Sequence, residues 1–148
     1  MKHALFAAAL TAAIAVAMPA AAERTPAPEG AEVYFVNLED GVTVTSPVTV
    51  VFGLKGMGVA PAGTDKARTG HHHLLIDRPP LGEGQAGADE LSMPLPADDH
   101  HVHFGGGQTQ TTVELAPGEH TLQLVVGDRN HIPHEPPVTS DVITITVE

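Results

Sequence analysis

Apolar residues alternate along this chain, and nowhere after residue 31 do they recur at helical spacing. Val48, Val50, Phe52 and Leu54 share one side of an extended run; Leu122, Leu124 and Val126 share a side of another; Ile143, Ile145 and Val147 mark a third. Alternation with a period of two sends successive side chains to opposite faces of a strand, so each run has one face to bury. Thirteen prolines and 15 glycines in 148 residues punctuate the runs, with turn signals at Asp40-Gly41, Ser46-Pro47 and Pro117-Gly118. The expected strands are 32–38, 48–55, 71–77, 100–104, 109–115, 120–126 and 138–147. No helix longer than a turn or two is expected after residue 31. Residues 78–99 are assigned no regular element.

Seven short strands separated by turn signals over little more than 100 residues fit an all-β fold, an immunoglobulin-like antiparallel β-sandwich of about seven strands. The length allows one domain, expected at 32–148. Aromatic residues are only 3% of the chain, so the core must be aliphatic. The stretch Leu115 to Asp128 resembles the E–F corner and F strand of such sandwiches. A tyrosine often bonds back to the corner backbone there; here His120 takes its place.

Residues 1–22 read as a signal peptide. Lys2 supplies a short positive region, Ala4 to Met18 is an uncharged run of 15 residues, and Ala20-Ala21-Ala22 fits an A-x-A cleavage site. Fifteen Ala-rich residues are short for a bilayer span. A periplasmic or secreted protein with no membrane span after cleavage is expected, beginning at Glu23. Residues 23–31 form a Pro-rich leader expected to be flexible. The formal charge of −11, with only 7 Lys and Arg, argues against nucleic acid as a partner. With no cysteine there are no disulfides, Cys nucleophiles, zinc ribbons or thiolate copper sites.

Ten histidines are the most informative count. Eight lie in three windows: His71, His72 and His73; His100, His101 and His103; His131 and His134. Residues i and i+2 of a strand share a face roughly 6.5–7 Å apart, so His71/His73 and His101/His103 can each present two imidazoles to one ion. His131 and His134 flank a Pro-stiffened loop. Neutral imidazole is a common donor to zinc, copper and nickel. In a sandwich of alternating strands, the three windows are expected at one end of the fold. The expected ligands are His71, His73, His101 and His103, joined by His134 or His131, with His134 preferred because Glu135 is beside it. His72 and His100 rank lower, since alternation turns them away. The same pattern read without a metal is a polar strand end, with His72 as a hydrogen-bonded core residue. Asp98, Asp99, Asp128 and Glu135 are acidic neighbours that can complete the metal shell or orient ring N–H groups, although in a chain this acidic a solvated surface position is the commoner reading for any one of them. Met57 and Met93 do not form a Met-rich pattern for cuprous ion, and Gly105-Gly106-Gly107 reads as a flexible turn.

The blocks YFVNLEDGVTVTSPVTVVFGLKGMGVAPAG, TGHHHLLID and PADDHHVHFGGGQTQTTVELAPGEHTLQLVVGDRNHIPHEPPV resemble an uncharacterised family of small exported bacterial proteins, a domain of unknown function. The resemblance covers nearly all of 32–148. It implies a single exported domain and no established activity. Three function classes follow from the residues. The first is an exported metal-binding protein that buffers, carries or senses zinc or copper. The second is an interaction or envelope module, partnered by another envelope protein, with no metal. The third is a small metalloenzyme, which requires an open metal position and a cleft. No Ser–His–Asp order or helix-borne HExxH is visible.

Overall fold

The computed structural model describes residues 24–148. The expected signal peptide lies outside the described residues. Strands β1 (Glu32–Phe35), β3 (Val48–Lys55) and β7 (Gln110–Val113) form a three-stranded sheet in the order β1-β3-β7. The second sheet runs β2 (Thr43–Val44), β9 (Ile143–Val147), β8 (Gly118–Gly127), β5 (Thr69–Ile76) and β4 (Gly58–Val59), with β6 (His101–His103) also paired to β5. The two sheets pack as a β-sandwich, as the alternation implied, but β2–β9 and β4–β5 pair in parallel, against the antiparallel expectation.

The core follows the predicted faces. Val48, Val50 and Phe52 of β3 meet Leu122, Leu124 and Val126 of β8 and Ile143, Ile145 and Val147 of β9, all buried in one cluster. Burying each such side chain contributes about 1.5–3 kcal/mol. The β5/β8 register pairs His72 with Val126, Leu74 with Leu124 and Ile76 with Leu122, so His72, Leu74 and Ile76 point inward. His72 is fully buried against the Phe52 ring and donates from Nδ1 to Gln108 O at 3.3 Å, the core-histidine role weighed for it. Burial lowers its pKa. At the corner, His120 donates from Nε2 to Ala116 O at 2.8 Å and pairs through Nδ1 with Asp77 at 2.7 Å. The Asp77 bond raises its pKa.

Three local expectations are corrected. Residues 78–99 contain a helix, α1 (Gly84–Glu90). The segment covers the outer face of the second sheet, where Leu81 and Leu95 pack on Leu75 and Val125 in a second small cluster. It therefore delivers the chain to the open edge of β5. There β6 pairs antiparallel with β5, His73 opposite His103 and Leu75 opposite His101. The last run is regular only from Ile143. Residues 138–140 follow β8 irregularly, Val126 N–H bonding Val138 O and Leu124 N–H bonding Ser140 Oγ. Finally, the start of the leader is tied down: Pro26 bridges Glu135 in parallel, and Ala27 N–H donates to Glu135 O at 2.8 Å.

Candidate metal centre

On β5 the residues that alternate with the core positions are His71, His73 and Leu75, so both histidines stand on the outer face of the second sheet. Across the β5/β6 ladder His103 is directly opposite His73. Across the β5/β8 ladder His71 faces Gly127, where β8 ends. The chain then turns through Asp128, and His131, with φ of 67°, returns over Gly127. Four imidazoles from three distant segments thus meet on one side of the sheet. His71 and His73 are fully buried, and His103 and His131 partly so.

Each of the four offers a ring nitrogen, and these atoms all lie within 4.8 Å of one another. His71 Nε2 is 3.1 Å from His131 Nδ1 and 3.1 Å from His73 Nε2. A tetrahedral ion with metal–nitrogen bonds of 2.0–2.1 Å sets its ligand nitrogens about 3.3 Å apart and its imidazole centroids about 5 Å apart. The centroid distances from His71 to His73, His103 and His131 are 4.9, 5.0 and 5.0 Å. His73–His103 is 5.0 Å, His103–His131 is 4.5 Å and His73–His131 is 6.1 Å.

Hydrogen bonding among the rings does not account for this packing. A neutral ring nitrogen has either one N–H or one lone pair in the ring plane, so His71 Nε2 can satisfy one of its two close neighbours and not both. His103 Nε2 is buried without a protein partner; the unpaired Nδ1 atoms of His71 and His73 are not the ring atoms that converge on the cluster, and an ion there would not satisfy them. Buried polar atoms are normally paired, and exceptions call for a cause. A cation among the rings takes up four lone pairs at once. The four histidines therefore form a buried cluster that can hold a metal.

Electrostatics point the same way. Burial, followed by the neighbouring imidazoles of His131 and His103, lowers the His71 pKa to about 4. Burial and then His71, His103 and His131 take His73 down to about 2. Burial and His131 lower His103 as well. These rings are neutral at pH 7, the protonation state a metal requires.

Glycines make the room. A Cβ on Gly127 would lie 2.8 Å from His73 Nε2, and one on Gly105 would lie 2.4 Å from His103 Cε1. Neither glycine stood out in the sequence as part of the site: Gly105 reads as a turn residue, and Gly127 simply follows an expected strand.

Of the six expected ligands, His71, His73, His103 and His131 come together. His101 does share the outer face with His103, as i, i+2 spacing requires, but it stands opposite Leu75, one step further from His71. It bonds Asp98 Oδ1 at 2.7 Å and Glu90 Oε1 at 3.2 Å, beside the Arg78 guanidinium, and so fastens the α1 segment to β6. His134, preferred over His131 for its acidic neighbour, is buried beneath Gly70 and donates to Val126 O at 3.2 Å. The Glu135 carboxylate pairs with Arg24. His100 donates to Ile76 O at 2.9 Å.

Sandwich and site together define a class: a β-sandwich domain with a cluster of four histidines on the outer face of one sheet. A family model described as a domain of unknown function, DUF4399, matches residues 50–148, and the chain belongs to that family. The matched stretch contains all four clustered histidines. No curated protein and no solved structure matches the chain. Among the described residues, no helix is long and apolar enough to cross a membrane.

Proposed function

We propose that this is an exported protein that binds zinc or copper through His71, His73, His103 and His131 and buffers, carries or senses that ion. The observation that carries the reading is the convergence of four ring nitrogens within 4.8 Å of one another, with His103 Nε2 buried and unpaired. Imidazole suits both zinc and copper, and the chain has no thiolate to favour one over the other. Four protein ligands close a tetrahedral shell, whereas catalytic zinc keeps a position open. That supports holding an ion over turning over a substrate. Export rests on the signal-peptide pattern of residues 1–22.

The test is metal analysis of untagged protein purified from its host compartment, followed by titration with zinc and copper. His73→Ala/His103→Ala is expected to lose tight binding, and His100→Ala is expected to keep it. If the double variant folds and binds both ions as tightly as the wild type, this site is wrong. If the wild type binds neither ion, the interaction-module reading replaces the metal reading.

A further inference from the structure

Three of the four clustered histidines sit on paired strands, whose ladders fix them. His131 sits on the loop between β8 and the last strand, so something else must set its place. Its own backbone is bonded at both ends: its N–H donates to Asp128 O at 2.9 Å, and its carbonyl accepts from Leu95 N–H at 2.9 Å. The loop is closed by the Asp128 carboxylate. Oδ1 accepts from the backbone N–H of Asn130 at 2.8 Å and of Ile132 at 3.1 Å, while Oδ2 accepts the Thr25 hydroxyl at 2.6 Å.

Thr25 belongs to the segment ahead of β1, and its neighbours grip the other end of the same loop. Glu135 N–H donates to Thr25 O at 2.9 Å, and Arg24 Nε donates to Pro133 O at 3.3 Å. The Arg24 guanidinium also bonds His134 O and pairs with the Glu135 carboxylate. Residues 24–27 therefore lie as a strap along 133–135 and reach over to the carboxylate that shapes 128–132. The strap lies outside the residues the family model matches.

We infer that Arg24 and Thr25 are positioning residues for the metal centre: the N-terminal strap holds the Asp128 loop in the shape that brings His131 onto the other three imidazoles. This rests on the metal reading above. Groups that orient metal ligands typically change affinity by 10–100-fold when removed, and the strap acts through one ligand of four.

The experiment is a double-mutant cycle on the full chain. Zinc affinity is measured by chelator competition, and Co2+ absorption reports coordination geometry. The variants are Arg24→Gln/Thr25→Val, His131→Ala and the three substitutions combined, with Thr25→Ser as the rescue. The strap variant is expected to weaken zinc by about 10-fold or more and to shift the Co2+ spectrum toward that of His131→Ala. In the His131→Ala background the same strap substitutions are expected to have no further effect, and Thr25→Ser is expected to bind like wild type. In metal-free protein, the Asn130 and Ile132 amides are expected to exchange faster in the strap variant. Wild-type affinity in the strap variant overturns the inference. So does an equal loss with and without His131, the mark of general destabilisation. Should the strap variant fail to fold, Thr25→Val alone carries the same cycle. Failure of the wild type to bind zinc or Co2+ removes the metal reading and this inference together, whereas binding that ignores the strap removes this inference alone.

Discussion

Acidification of the metal-free protein from pH 7 to pH 5 is a direct probe of the buried histidines. His71 and His73 are fully buried, with pKa values lowered to about 4 and about 2 by burial and by neighbouring imidazoles. Unfolded, both return to about 6.5. Between the folded and unfolded values the unfolded chain binds more protons, so stability falls as pH falls. The contribution is complete above about pH 6.5 and is lost below it. Integrating from pH 7 to pH 5 gives about 1.9 kcal/mol for each ring, or about 3.7 kcal/mol for the pair. That figure depends weakly on the folded values, because both rings are still largely neutral at pH 5. His72 and His103, also lowered, act in the same direction. His120 opposes them: its pKa is raised by Asp77, so its contribution is full below the unfolded value and fades as pH rises through the folded one. A loss of about 3.7 kcal/mol is a large part of the roughly 5–15 kcal/mol typical of a domain. Urea unfolding of chelator-treated protein, followed by circular dichroism at pH 7, 6 and 5, is expected to show a midpoint drop of about 2 M. His71→Gln/His73→Gln is expected to flatten most of that dependence. A wild-type drop below about 1 kcal/mol, or an unchanged drop in the double variant, refutes the argument that these two rings are held neutral by burial.

Gly127→Ala places a methyl group 2.8 Å from His73 Nε2; it is expected to cost about 1–3 kcal/mol by overpacking and to abolish tight zinc binding, read by denaturation and titration. Zinc at 100 times its dissociation constant is expected to add about 2.7 kcal/mol and to raise Tm by about 10 °C, while His103→Ala removes most of the rise in a calorimetric scan. Leu95→Ala strips the cover from Leu75 and Val125 and is expected to cost about 2–5 kcal/mol by urea unfolding. Mass spectrometry of the exported protein is expected to find an N-terminus at Glu23; retention of residues 4–18 overturns the signal-peptide reading.

Alternation by itself determined the class of fold and most of its core. Val48, Val50 and Phe52, Leu122 to Val126, and Ile143 to Val147 bury the faces that a period of two assigns, because strand geometry alone decides which residues share a side. The same rule turned His71 and His73 outward together and sent His72 inward. It also put His101 and His103 on one face, correctly, and there its authority ended. Face is local; which strand lies alongside, and in what register, is not. Only the pairing of His73 with His103 brought one of that pair to the cluster and left the other opposite Leu75. That pairing exists because the 78–99 segment, unreadable as a regular element, packs Leu81 and Leu95 on the outer sheet face. The choice between His131 and His134 was likewise tertiary. The positive φ of His131 and the Asp128 loop aim one ring at the cluster, while the bond to Val126 O buries the other beneath Gly70. Spacing can nominate metal ligands, but contacts between segments remote in sequence decide which of them meet.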